Sequence, residues 1–348
     1  DRTKIRPPAP VSFPPIMHLF RSLSLSLALA CGSAAADFTA AVTQALAGAA
    51  NGQAASAGAV APWRFVNKEL THLSKGDLAQ AADLSQLNAE GTDPLPVIQE
   101  YASALKVLGV ELILVPVPAK AAIYPEKLAA GLTVADAPSQ KPFLDKIAST
   151  GILVADLETL FRQHRAVHPE ESLYCATDSH WSPRGAELAA QAVAKHIAAL
   201  PPLASAAKTE FTVSAPEQLE FHGDLLTDAE KSSLPPESLP LKKVSPATAG
   251  ASPLLVIGDS HCQVFRAGGP MLATDAGFID HLAAALSLPI DEVSSQASGA
   301  DQPRADIARR TVKEPDFWSS RKVVVWLFTA REFTQGKWRT IPALVKKK

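Results

Sequence analysis

Residues 254–261 read LLVIGDSH, and this stretch decides how the rest of the chain is interpreted. Its first four residues form a short apolar run, which is typical of a buried β-strand. Gly258 allows a tight exit from such a strand, and Ser260 would then stand at the start of the next helix. A serine placed there presents its side chain and its own backbone N–H at the carboxyl end of the sheet, where ligands bind in α/β folds.

Similar apolar runs recur along the chain and alternate with helical patterns. They occupy residues 110–118, 151–158 and 322–330, and residues 186–200 have the spacing of a long amphipathic helix. Buried strands that alternate with helices indicate a parallel sheet that is covered on both faces. The sequence therefore predicts a three-layer α/β/α fold with a mostly parallel sheet.

Composition and charge limit the classes of function. The 348 residues are 47% hydrophobic, which allows one large α/β domain or two smaller ones. Lys and Arg number 33 against 35 for Asp and Glu, and the sole basic run is the terminal 346–348. This balance gives no support to nucleic-acid binding.

The first 36 residues are predicted to be an upstream extension followed by a signal peptide. From Met17 the sequence has a basic start at Arg21, an apolar stretch over 23–30 and small residues that end at Ala36. This pattern predicts export to the periplasm with cleavage after Ala36. Lipoprotein processing at Cys31, which would anchor the product to a membrane, is the alternative.

The remaining chain is predicted to contain a lead segment and one domain. Residues 37–60 are rich in Ala and Gly and are expected to be poorly specified, and the domain is expected over 61–348. Many prolines fall between residues 200 and 250, which predicts a long, mostly irregular insertion. Loops of that length often carry function.

A second Asp-Ser-His sequence stands in residues 174–185, YCATDSHWSPRG. Asp178 and His180 are two residues apart, so on an extended loop the carboxylate can hold Nδ1–H and leave Nε2 free as a base. With Ser260 as the nucleophile, these residues predict a catalytic triad in which Ser179 and His261 are bystanders. The alternative is structural, with Ser260, Asp178 and His180 acting only as helix caps.

The cysteines offer further alternatives at the same place. Cys175 and Cys262 flank the two Asp-Ser-His sequences, so assembly of the triad would bring them near each other. A disulfide in an oxidising compartment is then an alternative to two free thiols. A zinc site formed by these cysteines with His180 and His261 lacks the usual close ligand pairs, and no metal is predicted.

Six segments of the chain, in this order, resemble the periplasmic alginate O-acetyltransferase family of SGNH-hydrolase-like proteins. The segments are WRFVNKELTHLSKG, DPLPVIQEYASALKVLGVELILVPVPAKAAIYPEKL, YCATDSHWSPRGAELAA, LEFHGDLL, LLVIGDSH and KVVVWLFTAREF. The resemblance implies a triad in which Asp and His precede Ser, and it carries that triad onto Asp178, His180 and Ser260. It further implies that Trp181 and Arg331 support the site and help to bind substrate.

The resemblance also implies the reaction and its partners. An acetyl group would pass through a seryl ester to a hydroxyl of an exported, alginate-like polysaccharide, with no cofactor, and a membrane-bound O-acyltransferase would deliver the donor. The chain departs from the family pattern at His261 and Cys262 after the nucleophile, and at Ala330, where an acidic residue is expected. An exported polysaccharide acetylesterase with the same triad and a noncatalytic polysaccharide-binding relative are the alternatives. The intact triad residues argue against the latter.

Overall fold

The computed structural model describes residues 37–49 and 53–344. The predicted upstream extension, the signal peptide and the candidate lipidation site Cys31 lie outside the described residues. Within the described part of the chain, none of the helices has both the length and the apolar character that a membrane crossing requires.

The elements follow one another with strands and helices interleaved. The strands are β1 Ala55–Ala57, β2 Arg64–Val66, β3 Glu111–Val117, β4 Leu153–Val154, β5 Thr212–Val213, β6 Glu217–Phe221, β7 Glu237–Leu241, β8 Val244–Ser245, β9 Leu254–Gly258, β10 Asp291–Ser294 and β11 Val323–Thr329. The helices are α1 over residues 37–48, α2 Asn67–Leu73, α3 Pro94–Val107, α4 Lys120–Ile123, α5 Pro125–Leu128, α6 Lys141–Ala148, α7 Leu157–Val167, α8 Pro183–Ile197, α9 Pro201–Ala204, α10 Asp228–Ser233, α11 Phe278–Leu286, α12 Asp301–Lys313, α13 Phe317–Ser320 and α14 Glu332–Gln335. Short 3₁₀ helices occupy Leu78–Gln80, Ser260–Cys262 and Gly269–Met271.

Five of these strands form a central sheet in the order β10-β9-β11-β3-β4, and every pairing is parallel. In the middle of the sheet, Trp326 of β11 stands opposite Leu114 of β3 and Ile257 of β9. All seven residues of β11 and all five of β9 are buried. A strand that is covered on both faces reads as a continuous apolar run, which is why these strands were recognisable in the sequence.

Two apolar layers cover the sheet. Along β11, Val323, Val325 and Leu327 face one core, and Val324 and Trp326 face the other, as expected from the alternation of side chains along a strand. The first core is completed by α1, α2, α7, α8 and α11, and the second by α3, α6, α12 and α13. The predicted three-layer α/β/α arrangement is confirmed.

Two regions are more ordered than the sequence suggested. Within the Ala/Gly-rich lead segment, Phe38 and Val42 of α1 are buried in the first core, and β1 pairs with β2. The region around 200–250 contains two short antiparallel pairs, β5 with β8 and β6 with β7, as well as α10. The strands of this insertion are short and mostly exposed, so they lack the long apolar runs that mark a core strand.

The sheet has one short edge and one charged edge. The edge strand β4 has two residues, and the opposite edge strand β10 has four. On β10, Asp291 accepts a hydrogen bond from Arg321 at 2.5 Å, and Glu292 accepts one from Arg266 at 2.9 Å. Both edges are thus shorter than the central strand β11.

Gly258 fixes the geometry where β9 leaves the sheet. A Cβ atom at this position would lie 2.3 Å from the carbonyl oxygen of Leu327 and 2.6 Å from Sγ of Cys262. The backbone must therefore approach β11 closely, which a side chain would prevent. As a result, Ser260 emerges at the carboxyl end of the sheet.

Candidate active site

Ser260 lies two residues beyond the end of β9 and begins a 3₁₀ helix. Asp259 caps this helix, because its carboxylate accepts the backbone N–H of His261 at 2.9 Å. The cap role therefore belongs to Asp259 and leaves the hydroxyl of Ser260 available. Ser260 is partly exposed, so a substrate can reach it.

The structure brings Ser260, His180 and Asp178 together. Nε2 of His180 lies 2.8 Å from Oγ of Ser260, and Nδ1 lies 2.7 Å from Oδ1 of Asp178. The backbone N–H of His180 also donates to this carboxylate, at 3.1 Å. The helix that follows is capped by Ser182, which accepts the N–H of Gly185 at 3.0 Å, so Asp178 does not serve as its cap.

A closed loop positions Asp178 and His180. Tyr174 and Trp181 form an antiparallel bridge across its base, and the N–H of Cys175 donates to the carbonyl of His180 at 3.3 Å. The ends of the loop are therefore tied together over a few residues. This arrangement turns the two side chains to the same side, as the spacing of two residues predicted.

Burial and hydrogen bonding have opposite effects on the pKa values of Asp178 and His180. Burial alone would raise the pKa of Asp178, but the hydrogen bond and charge of His180 outweigh it and bring the pKa to about 2. Burial alone would lower the pKa of His180, but the hydrogen bond and charge of Asp178 raise it above its usual value. A charged carboxylate is thus held against an imidazole that readily accepts a proton.

Lys120 contacts the loop that carries Asp178 and His180, and the sequence did not predict this role. Its side chain is completely buried, and Nζ donates to the carbonyl of Asp178 at 2.6 Å and to that of Arg64 at 3.0 Å. Burial lowers the pKa of this ammonium group. Lys120 stands in one of the segments that resemble the family, but lysine is rarely buried and no role in the site was predicted for it.

Two carboxylates from the insertion hold the same loop from the other side. Glu237 accepts the N–H groups of Ala176 and Thr177, at 2.7 and 3.1 Å. Asp224 accepts both the N–H and the hydroxyl of Ser179, each at 2.7 Å. The LEFHGDLL segment, which contains Asp224, had been singled out by resemblance, but no sequence pattern pointed to Glu237.

Asp259 and His261, which flank Ser260, are buried beside His180. The His261 ring lies 4.8 Å from that of His180, and its Nδ1 is 3.3 Å from Oδ1 of Asp259 without forming a hydrogen bond. The other carboxylate oxygen of Asp259 accepts the N–H of Thr329 at 3.0 Å. Burial lowers the pKa of His261. The charge of His261 and the hydrogen bond from its backbone N–H outweigh burial and bring the pKa of Asp259 to about 2.

Trp181 lies in the core beside the loop. The residue is fully buried and stacks on Phe278 with ring centroids 5.7 Å apart, and its edge meets His261 at 5.2 Å. This packing is consistent with the predicted support of the site, and the contact of Trp181 with substrate stays a prediction. The sequence placed it beside His180, and adjacency along the chain did not reveal which way it points.

Arg331 lies near the site at the end of β11. Its side chain is 23% exposed, and Nη1 lies 3.0 Å from Oε1 of Glu69. The acidic partner that was expected at Ala330 is therefore provided from α2. The Arg331 charge also helps to lower the pKa of Asp259, after the larger effects of burial and His261.

Cys175 and Cys262 are free, buried thiols, so the alternative of a disulfide is wrong. Sγ of Cys175 donates to the carbonyl of Trp181 at 3.4 Å, and Sγ of Cys262 lies against the backbone at Gly258. Each thiol is thus oriented by its own surroundings. Burial raises the pKa of both thiols.

One group of potential metal ligands coincides with the loop. Donor atoms of Asp178, His180 and Asp224 lie within 4.8 Å of one another. Their nearest oxygens and nitrogens already exchange hydrogen bonds, because Asp178 binds His180 and the N–H of Asp224, while Asp224 binds Ser179. The arrangement is better explained as a hydrogen-bonded network than as a metal site.

Comparisons with known proteins identify a family and several relatives. Residues 78–330 match the family model described as an SGNH hydrolase-like domain of the acetyltransferase AlgX. The probable alginate O-acetylase AlgJ of Pseudomonas syringae pv. tomato is 30% identical over 166 residues, 47% of this chain and 39% of that protein. The protein of the same name from Pseudomonas fluorescens is 27% identical over 252 residues, 70% of this chain and 62% of that protein. The chain thus spans less than two thirds of either curated relative.

Solved structures support the fold. The O-acetyltransferase domain of Pseudomonas putida AlgJ has a TM-score of 0.60 at 24% identity, covering 80% of this chain and 92% of that one. Pseudomonas aeruginosa AlgX has a TM-score of 0.61 at 20% identity, covering 84% of this chain and 66% of that one. The SGNH-hydrolase-like α/β fold predicted from the sequence is confirmed.

Proposed function

This chain belongs to the family of the SGNH hydrolase-like domain of the acetyltransferase AlgX, and on that premise we propose that it is an O-acetyltransferase with a Ser-His-Asp triad. Its acceptor would be a hydroxyl group of an exported, alginate-like polysaccharide. The observation that carries the proposal is the continuous chain of contacts from Ser260 through His180 to Asp178, at 2.8 and 2.7 Å. These contacts lie at the carboxyl end of a parallel sheet, where α/β enzymes bind their ligands.

The first half of the reaction loads the enzyme. Oγ of Ser260 attacks the carbonyl carbon of an acetyl ester while Nε2 of His180 takes the hydroxyl proton. The tetrahedral intermediate then collapses, the bond to the donor oxygen breaks, and the imidazolium returns its proton to that oxygen. The products are the acetyl ester of Ser260 and the donor alcohol.

The second half transfers the acetyl group to the acceptor. His180 takes the proton of a sugar hydroxyl, whose oxygen attacks the seryl ester, and the proton returns to Oγ of Ser260 when the ester bond breaks. Asp178 keeps Nδ1 protonated and stabilises the imidazolium in both halves. In this proposal the backbone N–H of Ser260 stabilises the negative charge that develops on the carbonyl oxygen.

The partners follow from the same proposal. The curated relatives are named as alginate O-acetylases, which supports a uronate polymer as acceptor. We propose a membrane-bound O-acyltransferase as the source of the acetyl group, because acetyl donors must reach an exported enzyme across a membrane. Periplasmic localisation, with a signal peptide or an anchor at Cys31, belongs to the proposal as well.

The test is a transfer reaction with purified protein. An aryl acetate is supplied as donor together with oligosaccharides made of uronates or of neutral sugars, and the products are identified by mass spectrometry. We expect acetylated uronate oligosaccharide that appears at the expense of free acetate. Release of acetate alone with every acceptor would instead favour the acetylesterase.

A further inference from the structure

A carboxylate outside the proposed triad lies one hydroxyl group away from the base. Oγ of Ser179 is 3.3 Å from Nδ1 of His180 and donates to Oδ2 of Asp224 at 2.7 Å. Oδ1 of Asp224 accepts the N–H of Ser179, also at 2.7 Å, and the N–H of Asp224 donates to Oδ2 of Asp178 at 3.0 Å. Asp224 is therefore hydrogen-bonded to both Asp178 and Ser179, the two residues that precede His180.

The position of Asp224 is fixed by its neighbours in the insertion. A Cβ atom on Gly223 would lie 2.2 Å from the carbonyl carbon of Thr177, so the two backbones are in direct contact. The N–H of Gly223 donates to Oγ1 of Thr177 at 3.2 Å, and the N–H of Leu225 donates to its carbonyl at 3.1 Å. Although Asp224 is exposed, these contacts hold its backbone against the loop.

We propose that Asp224 is a positioning residue for His180, acting through Ser179 and through the backbone contact with Asp178. The inference rests on the proposed triad and extends it to a part of the chain that the triad does not include. It makes the insertion between α9 and β9 a component of the active site.

The physical role has two parts. Asp224 restrains Ser179, whose side chain and backbone would otherwise rotate beside the imidazole, and catalysis loses rate when reacting groups are misplaced even slightly. Asp224 also adds negative charge near the ring, and we expect this charge to favour the imidazolium that forms in each half-reaction. The other ionisable groups that face His180 are Asp178, Asp259 and His261, all of which are buried.

Replacement of Asp224 by Asn keeps the shape and removes the charge. We expect kcat for acetate release from an aryl acetate to fall roughly ten- to a hundredfold, with KM little changed. The charge of Asp224 contributes to the raised pKa of His180, after burial and the larger effects of Asp178. The acid limb of the pH–rate profile should therefore move to lower pH in Asp224→Asn. The matched control is Asp228→Asn, which makes the same charge change on the exposed first turn of α10 in the same insertion.

A double-mutant cycle separates positioning from general loss of structure. Ser179→Ala removes the hydroxyl that links Asp224 to the imidazole while leaving Asp224 in place, so it tests the same path even if Asp224→Asn folds poorly. The double variant Ser179→Ala/Asp224→Asn should lose little more activity than the stronger single variant, because both changes break one path.

The outcomes are distinct. Additive losses in the cycle, or a pH profile of Asp224→Asn that matches that of Asp228→Asn, would overturn the positioning role. The proposed triad has its own control, since full acetate release by Ser260→Ala would reject the triad whatever Asp224 does. Loss of activity in Ser260→Ala together with an unaltered Asp224→Asn would reject this inference alone.

Discussion

Two Asp-Ser-His tripeptides meet in this molecule, one in residues 178–180 and the other in residues 259–261, and they differ in what surrounds them. In both, the histidine N–H donates to the aspartate two residues earlier, at 3.1 and 2.9 Å. The ring of His180 then completes a 2.7 Å contact with its aspartate, whereas the ring of His261 stays at 3.3 Å without a hydrogen bond.

The difference arises from where each aspartate directs its second oxygen. Asp178 receives the N–H of Asp224 from the insertion, and Asp259 receives the N–H of Thr329 at the end of β11. The first aspartate therefore belongs to the loop, and the second fastens the turn after β9 to the sheet. We propose that the same three residues provide a base in one place and a nucleophile in the other, so the tripeptide alone does not define a role.

Replacing each of the two serines by alanine should give the largest difference in activity between the two tripeptides. Ser260→Ala removes the nucleophile and should lower acetyl-ester turnover on the order of 10⁴-fold or more. Ser179→Ala retains the proposed nucleophile and should lower acetyl-ester turnover about tenfold, because it removes only a contact that positions His180. Intact-protein mass spectrometry after mixing with an aryl acetate should show an acetyl adduct in Ser179→Ala and none in Ser260→Ala. An adduct of equal yield in both variants would contradict the assignment of the nucleophile.

Replacing each of the two aspartates by asparagine should give the next largest difference. Asp178→Asn spoils the tautomer and orientation of His180, and we expect roughly a 10³- to 10⁴-fold loss of kcat. Asp259→Asn acts on a buried carboxylate that holds β11, so its main effect should be a loss of about 1–3 kcal/mol in unfolding free energy. Activity per folded molecule, with the folded fraction measured by chemical denaturation, separates the two effects. A larger catalytic loss in Asp259→Asn would reverse the roles given to the two tripeptides.

The smallest of the three differences is expected between the two histidines. The pKa of His180 should lie above the usual value near 6.5 and that of His261 below it. The folded-state pKa of His180 is raised, so its contribution to stability is complete below pH 6.5 and is lost as pH rises through that pKa. The folded-state pKa of His261 is lowered, so its contribution is complete above pH 6.5 and is lost as pH falls through that pKa.

Nuclear magnetic resonance of the ring protons can follow both histidines. His180→Gln and His261→Gln assign the two signals, and the wild-type titration then gives each pKa. We expect the signal lost in His180→Gln to have the higher pKa. The opposite order would show that Asp178 does not govern the charge of its neighbour.

The sequence was sufficient for the parts of the fold and site that rest on local patterns. β9 and β11 are buried on both faces, so their apolar runs identified them, and the spacing of Asp178 and His180 placed both on one side of a loop. The burial of Trp181 could not be predicted, because neighbours along a loop can point into the core or toward solvent and the sequence does not distinguish these directions.

Other parts of the site depend on contacts between distant segments. Lys120 reaches residues 176–179 from the segment after β3, and Asp224 and Glu237 reach them from the insertion. Their role becomes visible only when the insertion has folded onto the loop. Likewise, α1 is ordered because Phe38 and Val42 fit the first core, which the high Ala and Gly content of that segment concealed.

The edges of the central sheet have a consequence for the behaviour of the protein at high concentration. A long, flat edge strand offers unpaired backbone groups to a second molecule and promotes aggregation. Here β4 offers two residues, and β10 carries Asp291 and Glu292, whose charges are already engaged by arginines of the same chain. Another copy that added a strand would gain few hydrogen bonds at β4, and at β10 it would have to approach a strand lined with ion pairs. The short β4 and the ion-paired β10 therefore disfavour edge-to-edge association of the sheet.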